Sequence, residues 1–389
     1  MAEIHCRHFN GYKPCGKGAS CHRRFCNSYE SVHHRLLIVH LEALGAVLRS
    51  TSILKAVKRE FPKSHVTWIT RAPAHQLLAN LPEIDRILTV TAEDLIKLSV
   101  FKFDLAFVID KSLVAAGLLN TANVAEVRGF RADALSGGIV PANASATELW
   151  ELGLSDQKKF FENVKSEQRL VHEALDLGVY TRDEYRIVLS GEERALARSR
   201  KLAWSPSGQP VIGLNTGCSA ILPAKKLSYE GTRDLIRRIL ADARFKGCPV
   251  VLLGGAEDKE RNEALARELP VISSPTGLGL RDGLVSVEAC DLVFSGDSLG
   301  MHMAIGLGKW VVAWFGPTCA QEIDLYDRGR KIMAGVSCSP CWKRVCQKAV
   351  MCYDRVDFNE VLDALAQGLS WHTSSSKRPF PEISSSLSL

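Results

Sequence analysis

Two series of short apolar runs, each run separated from the next by a helical stretch, constrain this chain more than any other feature. The first series is LLIVH (36–40), HVTWIT (65–70), RILTV (86–90) and DLAFVID (104–110). The second is PVIGL (210–214), PVVLL (249–253), VISS (271–274), DLVFSGD (291–297) and WVVAWFGPT (310–318). Strands spaced by helices predict parallel sheets built from right-handed βαβ units. In the first half a helix follows LLIVH through Lys55 and Arg59. The pattern over 159–178, with Phe160, Phe161, Val164, Val171 and Leu175 apolar, reads as a helix packed on the core. RIVLS (186–190) and a helix to about Trp204 close that half, and SPSGQP reads as a linker. A chain of 389 residues suits two domains.

The predicted fold class is therefore α/β, with two Rossmann-like doubly wound domains facing a cleft. The segments are 1–34 (Cys-rich), 35–204 (first Rossmann-like domain), 205–356 (second, carrying a Cys finger at 338–352), 357–371 (closing helix) and 372–389 (flexible Ser-rich tail). Hydrophobic residues at 46% and charged residues at 24% exclude wholesale disorder. No apolar run reaches the roughly 18–20 residues of a membrane helix, and residues 1–30 lack the apolar stretch of a secretory signal. The expectation is a cytoplasmic protein.

Twelve cysteines are unusual in that setting. Eight form two quartets. Cys338-x2-Cys341-x4-Cys346-x5-Cys352 has the CxxC spacing that chelates one ion, with two further thiolates to complete a tetrahedron. Cys6-x8-Cys15-x5-Cys21-x4-Cys26 is less regular, with His5, His8 and His22 as alternative ligands. Zinc, mononuclear iron and an iron–sulfur cluster all suit four sulfurs, so the expected cofactor is a structural metal at one or both sites. The net charge of +6 concentrates there too, with +4 over residues 1–35 and +6 over 328–355. It reads as compensation for thiolates, with an anionic membrane surface as the alternative partner. Basic strips interleaved with aromatics are lacking, so nucleic acid is not an expected partner.

Open α/β sheets bind ligands beyond the carboxyl ends of their strands. Four such loops stand out. Leu41-Glu42-Ala43-Leu44-Gly45-Ala46 offers a tight turn. Asn215-Thr216-Gly217-Cys218-Ser219, followed by Lys225-Lys226, offers small polar groups and a cation for phosphate. Gly254-Gly255-Ala256-Glu257-Asp258 places an acidic side chain where it can accept ribose hydroxyls. Gly296-Asp297-Ser298-Leu299-Gly300-Met301-His302 opens a helix whose amides suit a diphosphate. None is a GxGxxG or Walker sequence, which weakens dehydrogenase and kinase readings.

LLIVHLEALGAVLRSTSILKAVKREFPKSHVTWIT resembles the amino-terminal signature of glycosyltransferase family 9, the ADP-heptose:lipopolysaccharide heptosyltransferases. VIGLNTGCS…PAKKLS, VVLLGGAEDKERN and FSGDSLGMHMAIGLGKWVVAWFGPT resemble the family's later motifs, and the similarity covers about 35–370. The resemblance implies a GT-B architecture and inverting transfer from a nucleotide-activated heptose, with no divalent metal needed for the transfer. The acceptor would be a lipopolysaccharide core sugar or a protein hydroxyl. It also implies that Thr216, Gly217 and Lys225 or Lys226 touch the donor phosphates, that Glu257 holds the nucleoside, and that Asp297, Ser298 and His302 line the sugar-diphosphate site. One departure matters. The family's catalytic Asp follows the Gly of the first loop, and this chain has Ala46 there. Glu42 or Asp110 then supplies the base, or the chain is a non-catalytic binding or scaffold protein. The alternative roles are a surface carboxylate paired with Arg49 for Glu42, and a helix cap for Asp110. The second quartet is similar to that of the autotransporter heptosyltransferases, which hold iron in a Cys finger that supports oligomer assembly; the resemblance implies a homo-oligomer and leaves the metal open among iron, iron–sulfur and zinc. The expected location is the cytoplasm, free or at the inner face of its membrane.

Overall fold

The structure, a computed structural model, describes residues 4–18, 20–22 and 26–375. It divides into two compact units, 1–188 with 321–324, and 189–320 with 325–389.

The first unit contains β1 (His34–Val39), α1 (Leu44–Ser50), α2 (Ile53–Glu60), β2 (Ser64–Thr70), β3 (Arg86–Thr89), α3 (Ala92–Val100), β4 (Lys102–Val108), α4 (Leu113–Thr121), β5 (Asn123–Ala132), β6 (Ile139–Pro141), α5 (Thr147–Leu154) and α6 (Glu167–Ala174). Its sheet runs β3-β2-β1-β4-β5-β6, parallel except for β6. The apolar run of β1 is buried on both faces. Leu36 and Ile38 enter one core cluster with Val57, Trp68 and Phe107, while Leu37 and Val39 enter another with Ile69, Leu98 and Ala115. Helices on both sides of a parallel sheet require such a strand.

The second unit contains α7 (Gly191–Trp204), β7 (Ile212–Asn215), α8 (Tyr229–Ala241), β8 (Val250–Leu253), α9 (Lys259–Glu268), β9 (Ile272–Ser273), α10 (Leu280–Glu288), β10 (Leu292–Gly296), α11 (Leu299–Gly306), β11 (Trp310–Phe315), β12 (Gly329–Met333) and α12 (Phe358–Ser375). Its sheet runs β12-β11-β10-β7-β8-β9, all parallel, which read from the other edge is the same order as the first. The order reverses between β1 and β4 in one unit and between β7 and β10 in the other, the switch points where such sheets take ligands.

Several expectations change. The helix after LLIVH is two helices, α1 and α2. RIVLS lies outside the sheet, because side chains take its backbone groups: the Arg186 amide donates to Thr51 Oγ1 at 3.2 Å and Asn80 Nδ2 donates to the Val188 carbonyl at 3.3 Å. The 159–178 pattern splits into one wide turn at Lys158–Glu162 and α6, and Phe161 and Val164 are exposed rather than packed. Strands β5 and β12 carry polar residues because they lie toward sheet edges, where no continuous apolar run is needed. Helix α7 packs with the second unit, ahead of the SPSGQP linker. Arg200 grips Asp282 on α10 at 2.8 Å, and Lys201 meets Asp291 at 2.5 Å. The closing helix runs on to Ser375, and the rest of the Ser-rich tail lies outside the described residues.

Candidate active site

In the first unit the fold brings both predicted carboxylates to one loop. Asp110, just past β4, extends Oδ2 across the switch point and accepts the backbone amides of Leu41 at 3.0 Å and Glu42 at 3.3 Å. It therefore holds the β1 loop. The N-cap of α4 is instead Ser112, whose hydroxyl accepts the Ala115 amide. Glu42 is exposed and paired with Arg71, just past β2, while Arg49 pairs with Glu167. Ala46 lies in the first turn of α1, and its carbonyl accepts the Ser50 hydroxyl at 3.0 Å. Ser50 also meets His40 Nδ1 at 2.7 Å. Burial holds the His40 imidazole down to about 4, with Asp110 and Glu167 pulling the other way. The loop thus rests on a neutral ring, a hydroxyl and a carboxylate.

In the second unit the four motif residues around β7 and β10 interlock. Asn215 Nδ2 lies 2.9 Å from the Gly217 carbonyl, 3.0 Å from Ser295 Oγ and 2.9 Å from Ser298 Oγ. Ser298 begins α11, so the Asn215 amide ties the β7 loop to a helix N-terminus. Lys225 Nζ stands 3.2 Å from Asp297, and His302 Nε2 stands 3.7 Å from the same carboxylate. The Lys225 carbonyl presses on Gly296, where a Cβ would fall 1.8 Å from it. Lys226 Nζ stands 3.5 Å from Asp258.

One predicted contact looks different in place. The Thr216 amide donates to the Leu253 carbonyl at 3.0 Å, and its hydroxyl lies 2.7 Å from Asn262 Oδ1. Its polar groups serve the fold. Asp258, at 1% exposure, points inward, accepts the Gly255 amide at 3.0 Å and leaves no room for a side chain at Gly217, where a Cβ would sit 2.2 Å from Oδ2. Glu257 stays exposed on the turn. Sequence reasoning missed Asn215, Asp258 and Arg71 as organising residues, although the first two lie within the quoted motifs and the third directly follows HVTWIT.

The expectation of metal knuckles is not met by the placed side chains. Among the described residues no three His, Cys, Asp or Glu converge closely enough to hold a metal ion, and the cysteines are free thiols. Cys6, Cys15, Cys21 and Cys26 belong to a segment whose described residues reach the first unit through side-chain contacts. Cys6 bridges to Ser31, and Arg7 reaches Asp85 at 2.5 Å and the Pro82 carbonyl at 3.0 Å. Cys338, Cys341, Cys346 and Cys352 belong to a loop seated on the second unit. Four thiols are soft ligands suited to zinc or iron, but as placed they do not fit one ion. No helix among the described residues is long and apolar enough to cross a membrane.

Two sheets of the same Rossmann order, one with a cation-bearing polar site at its switch point and the other with a carboxylate-bearing loop, define a two-unit doubly wound α/β protein. The profile of glycosyltransferase family 9 (heptosyltransferase) matches residues 97–351, and the chain belongs to that family of glycosyltransferase enzymes. Lipopolysaccharide heptosyltransferase 2 of Salmonella typhimurium is 22% identical over 301 residues, covering 73% of this chain and 83% of the relative. Three solved structures share the fold. A family 9 glycosyltransferase from Veillonella parvula has a TM-score of 0.67 at 18% identity, covering 88% of this chain and 99% of that one. The ADP-heptose lipopolysaccharide heptosyltransferase II of E. coli has a TM-score of 0.64 at 19% identity, covering 87% and 99%. An iron-containing dodecameric glycosyltransferase of enterotoxigenic E. coli has a TM-score of 0.52 at 12% identity, covering 87% and 77%.

Proposed function

We propose that the chain transfers heptose, or a closely related sugar, from a nucleoside-diphosphate donor to a hydroxyl acceptor with inversion. ADP-heptose is the first donor to test, and a lipopolysaccharide core sugar or a protein hydroxyl the acceptor. The lipopolysaccharide heptosyltransferases it resembles support that choice. The observation that carries the reading is the second unit's switch point, where Lys225, Asp297, His302 and Ser298 meet at the start of α11 beside Lys226. Lys225, Lys226 and the α11 amides bind the diphosphate and take up the charge that grows as the glycosidic C–O bond breaks. Gly217 lets the phosphates approach, and Glu257, exposed beside the Gly254–Gly255 turn, accepts the ribose hydroxyls.

In the transfer the acceptor oxygen attacks the anomeric carbon opposite the departing nucleoside diphosphate. Its proton goes to Glu42, which Arg71 orients, while Asp110 holds the Glu42 amide. The products are the inverted glycoside and ADP. No step passes through a metal.

A specific observation favours a second reading. Ala46 has no carboxylate, Glu42 is paired with Arg71, and Asp110 is engaged by two amides. On that reading the chain binds the nucleotide sugar without transferring it. Incubation with ADP-heptose and candidate acceptors separates the two. ADP release that depends on acceptor establishes transfer, and ADP-heptose binding without turnover establishes the binding protein.

A further inference from the structure

We propose that the cysteine loop 338–352 positions the donor-binding cations, and that Cys352 is the residue that sets the height of the Lys225–Lys226 turn. The inference rests on the nucleotide-binding reading above. The loop is seated on the end of β11, the neighbour of β10. Cys341 and Trp342 both donate their amides to the Pro317 carbonyl, at 3.1 and 2.9 Å. Ser339 Oγ donates to the Gly316 carbonyl at 2.5 Å, and Trp342 Nε1 lies 3.4 Å from Cys319 Sγ. Cys352 closes the loop against Gly316 so tightly that a Cβ there would fall 2.7 Å from its sulfur and 2.9 Å from its Cβ.

The other side of Cys352 meets the donor site. Its Sγ lies 3.9 Å from the carbonyl of Ala224, within the short turn Pro223–Lys225. Burial pushes this thiol's pKa up, and negative charge on the neighbouring Cys341 and Cys346 sulfurs would push it the same way. From a second direction Cys218 Sγ lies 3.6 Å from the carbonyls of both Leu222 and Pro223. From a third, the Lys225 carbonyl lies against Gly296. The turn is therefore packed between two thiols and a side-chain-free strand end, and its two lysines project to Asp297 and Asp258. A packed contact of this kind transmits displacement because the interior has no slack. Shortening Cys352 opens space under Ala224 and lets both ammonium groups drop away from the phosphate position. Cys352 touches no substrate, so it is a positioning residue.

The test compares ligands that differ only in phosphate. Full-length wild type, Cys352→Ala, Cys352→Ser and Cys346→Ala are titrated calorimetrically with ADP and with adenosine, and each is melted. The expected result for Cys352→Ala is an ADP affinity about 3- to 30-fold weaker with adenosine affinity unchanged. Cys352→Ser recovers part of the loss, and Cys346→Ala, which shares the loop but not the Ala224 contact, stays within about twofold. In a Lys225→Ala/Lys226→Ala background the Cys352→Ala change adds nothing. Equal loss of ADP and adenosine, equal loss in Cys346→Ala, an undiminished effect without the lysines, or no loss of ADP affinity overturns the proposal and leaves the function standing. If Cys352→Ala does not melt cooperatively, the serine variant decides by the same comparison. Wild type that binds neither ligand overturns the function itself.

Discussion

The two switch points are built on sheets of the same strand order but are furnished oppositely. At β1/β4 a carboxylate spans the gap to hold a loop, and the loop presents an acid. At β7/β10 an amide spans the gap, and the loops present two lysines, a histidine and a helix N-terminus. Strand order decides where a ligand can lie, and the loop residues decide its charge. On the proposed reading the first site takes the acceptor's proton, and the second exchanges its lysine contacts with Asp297 and Asp258 for the donor diphosphate.

The sharpest way to break this contrast is at Glu42. Glu42→Gln is expected to lower kcat by about 10²–10⁴-fold with donor affinity intact, measured by ADP release. Full activity in that variant removes Glu42 from the chemistry. Ala46→Asp in the wild-type background then sharpens the same point, because a carboxylate restored on α1 is expected to raise turnover. Next in size is the anionic side. Lys225→Ala is expected to cost about 10²–10³-fold in kcat, since on the proposed reading it removes a cation from the leaving diphosphate. If Lys225→Ala leaves kcat intact while Glu42→Gln does not, the two sites do not divide the work in this way.

Much of this layout is legible in the sequence, for a physical reason. Central parallel strands are covered on both faces, so LLIVH, PVVLL and DLVFSGD announce themselves as unbroken apolar runs. NVAEVRGFRA and GRKIM lie toward edges, satisfy fewer burial demands and give no such signal. The donor-side motifs are equally plain, but which side chain faces inward depends on the turn. Glu257 and Asp258 are adjacent in GGAED, and only the 256–258 turn sends Asp258 into the core and leaves Glu257 in solvent. Arg71 escaped because a single basic residue after a strand has no pattern. The cysteine spacing at 338–352 was legible as a cluster, but nothing in the spacing showed that its last member packs against Ala224.

Smaller effects concern stability. The ring beneath the first loop titrates at about 4 when folded, against 6.5 for an ordinary histidine. A lowered folded value means that the unfolded chain binds the extra proton first. Stability is therefore full above about pH 6.5 and drains as pH falls toward about 4, by about 3 kcal/mol for His40. Urea unfolding across that window is expected to show this slope, and His40→Gln to reduce it, the remainder coming from His65, which burial also lowers to about 4. An unchanged slope in the variant removes His40 as its source. Smallest is the α7–α10 clasp in the second unit. Asp282→Ala removes the carboxylate from the Arg200 guanidinium, leaving it the Ser286 hydroxyl and the residue 282 carbonyl, and is expected to cost about 1–2 kcal/mol, read by denaturant midpoint. A loss confined to the first unit's transition contradicts the placement of α7 with the second.

The most direct measurement of the central claim is photolabelling. The full chain is irradiated with an azido-adenine analogue of ADP, with and without excess ADP, and the labelled peptides are mapped by mass spectrometry. Label that ADP displaces from the peptides around Gly254–Asp258 and Asn215–Lys226 is the predicted result. Displaceable label around His40–Ala46 or Arg71–His75, with none in the second unit, would contradict it.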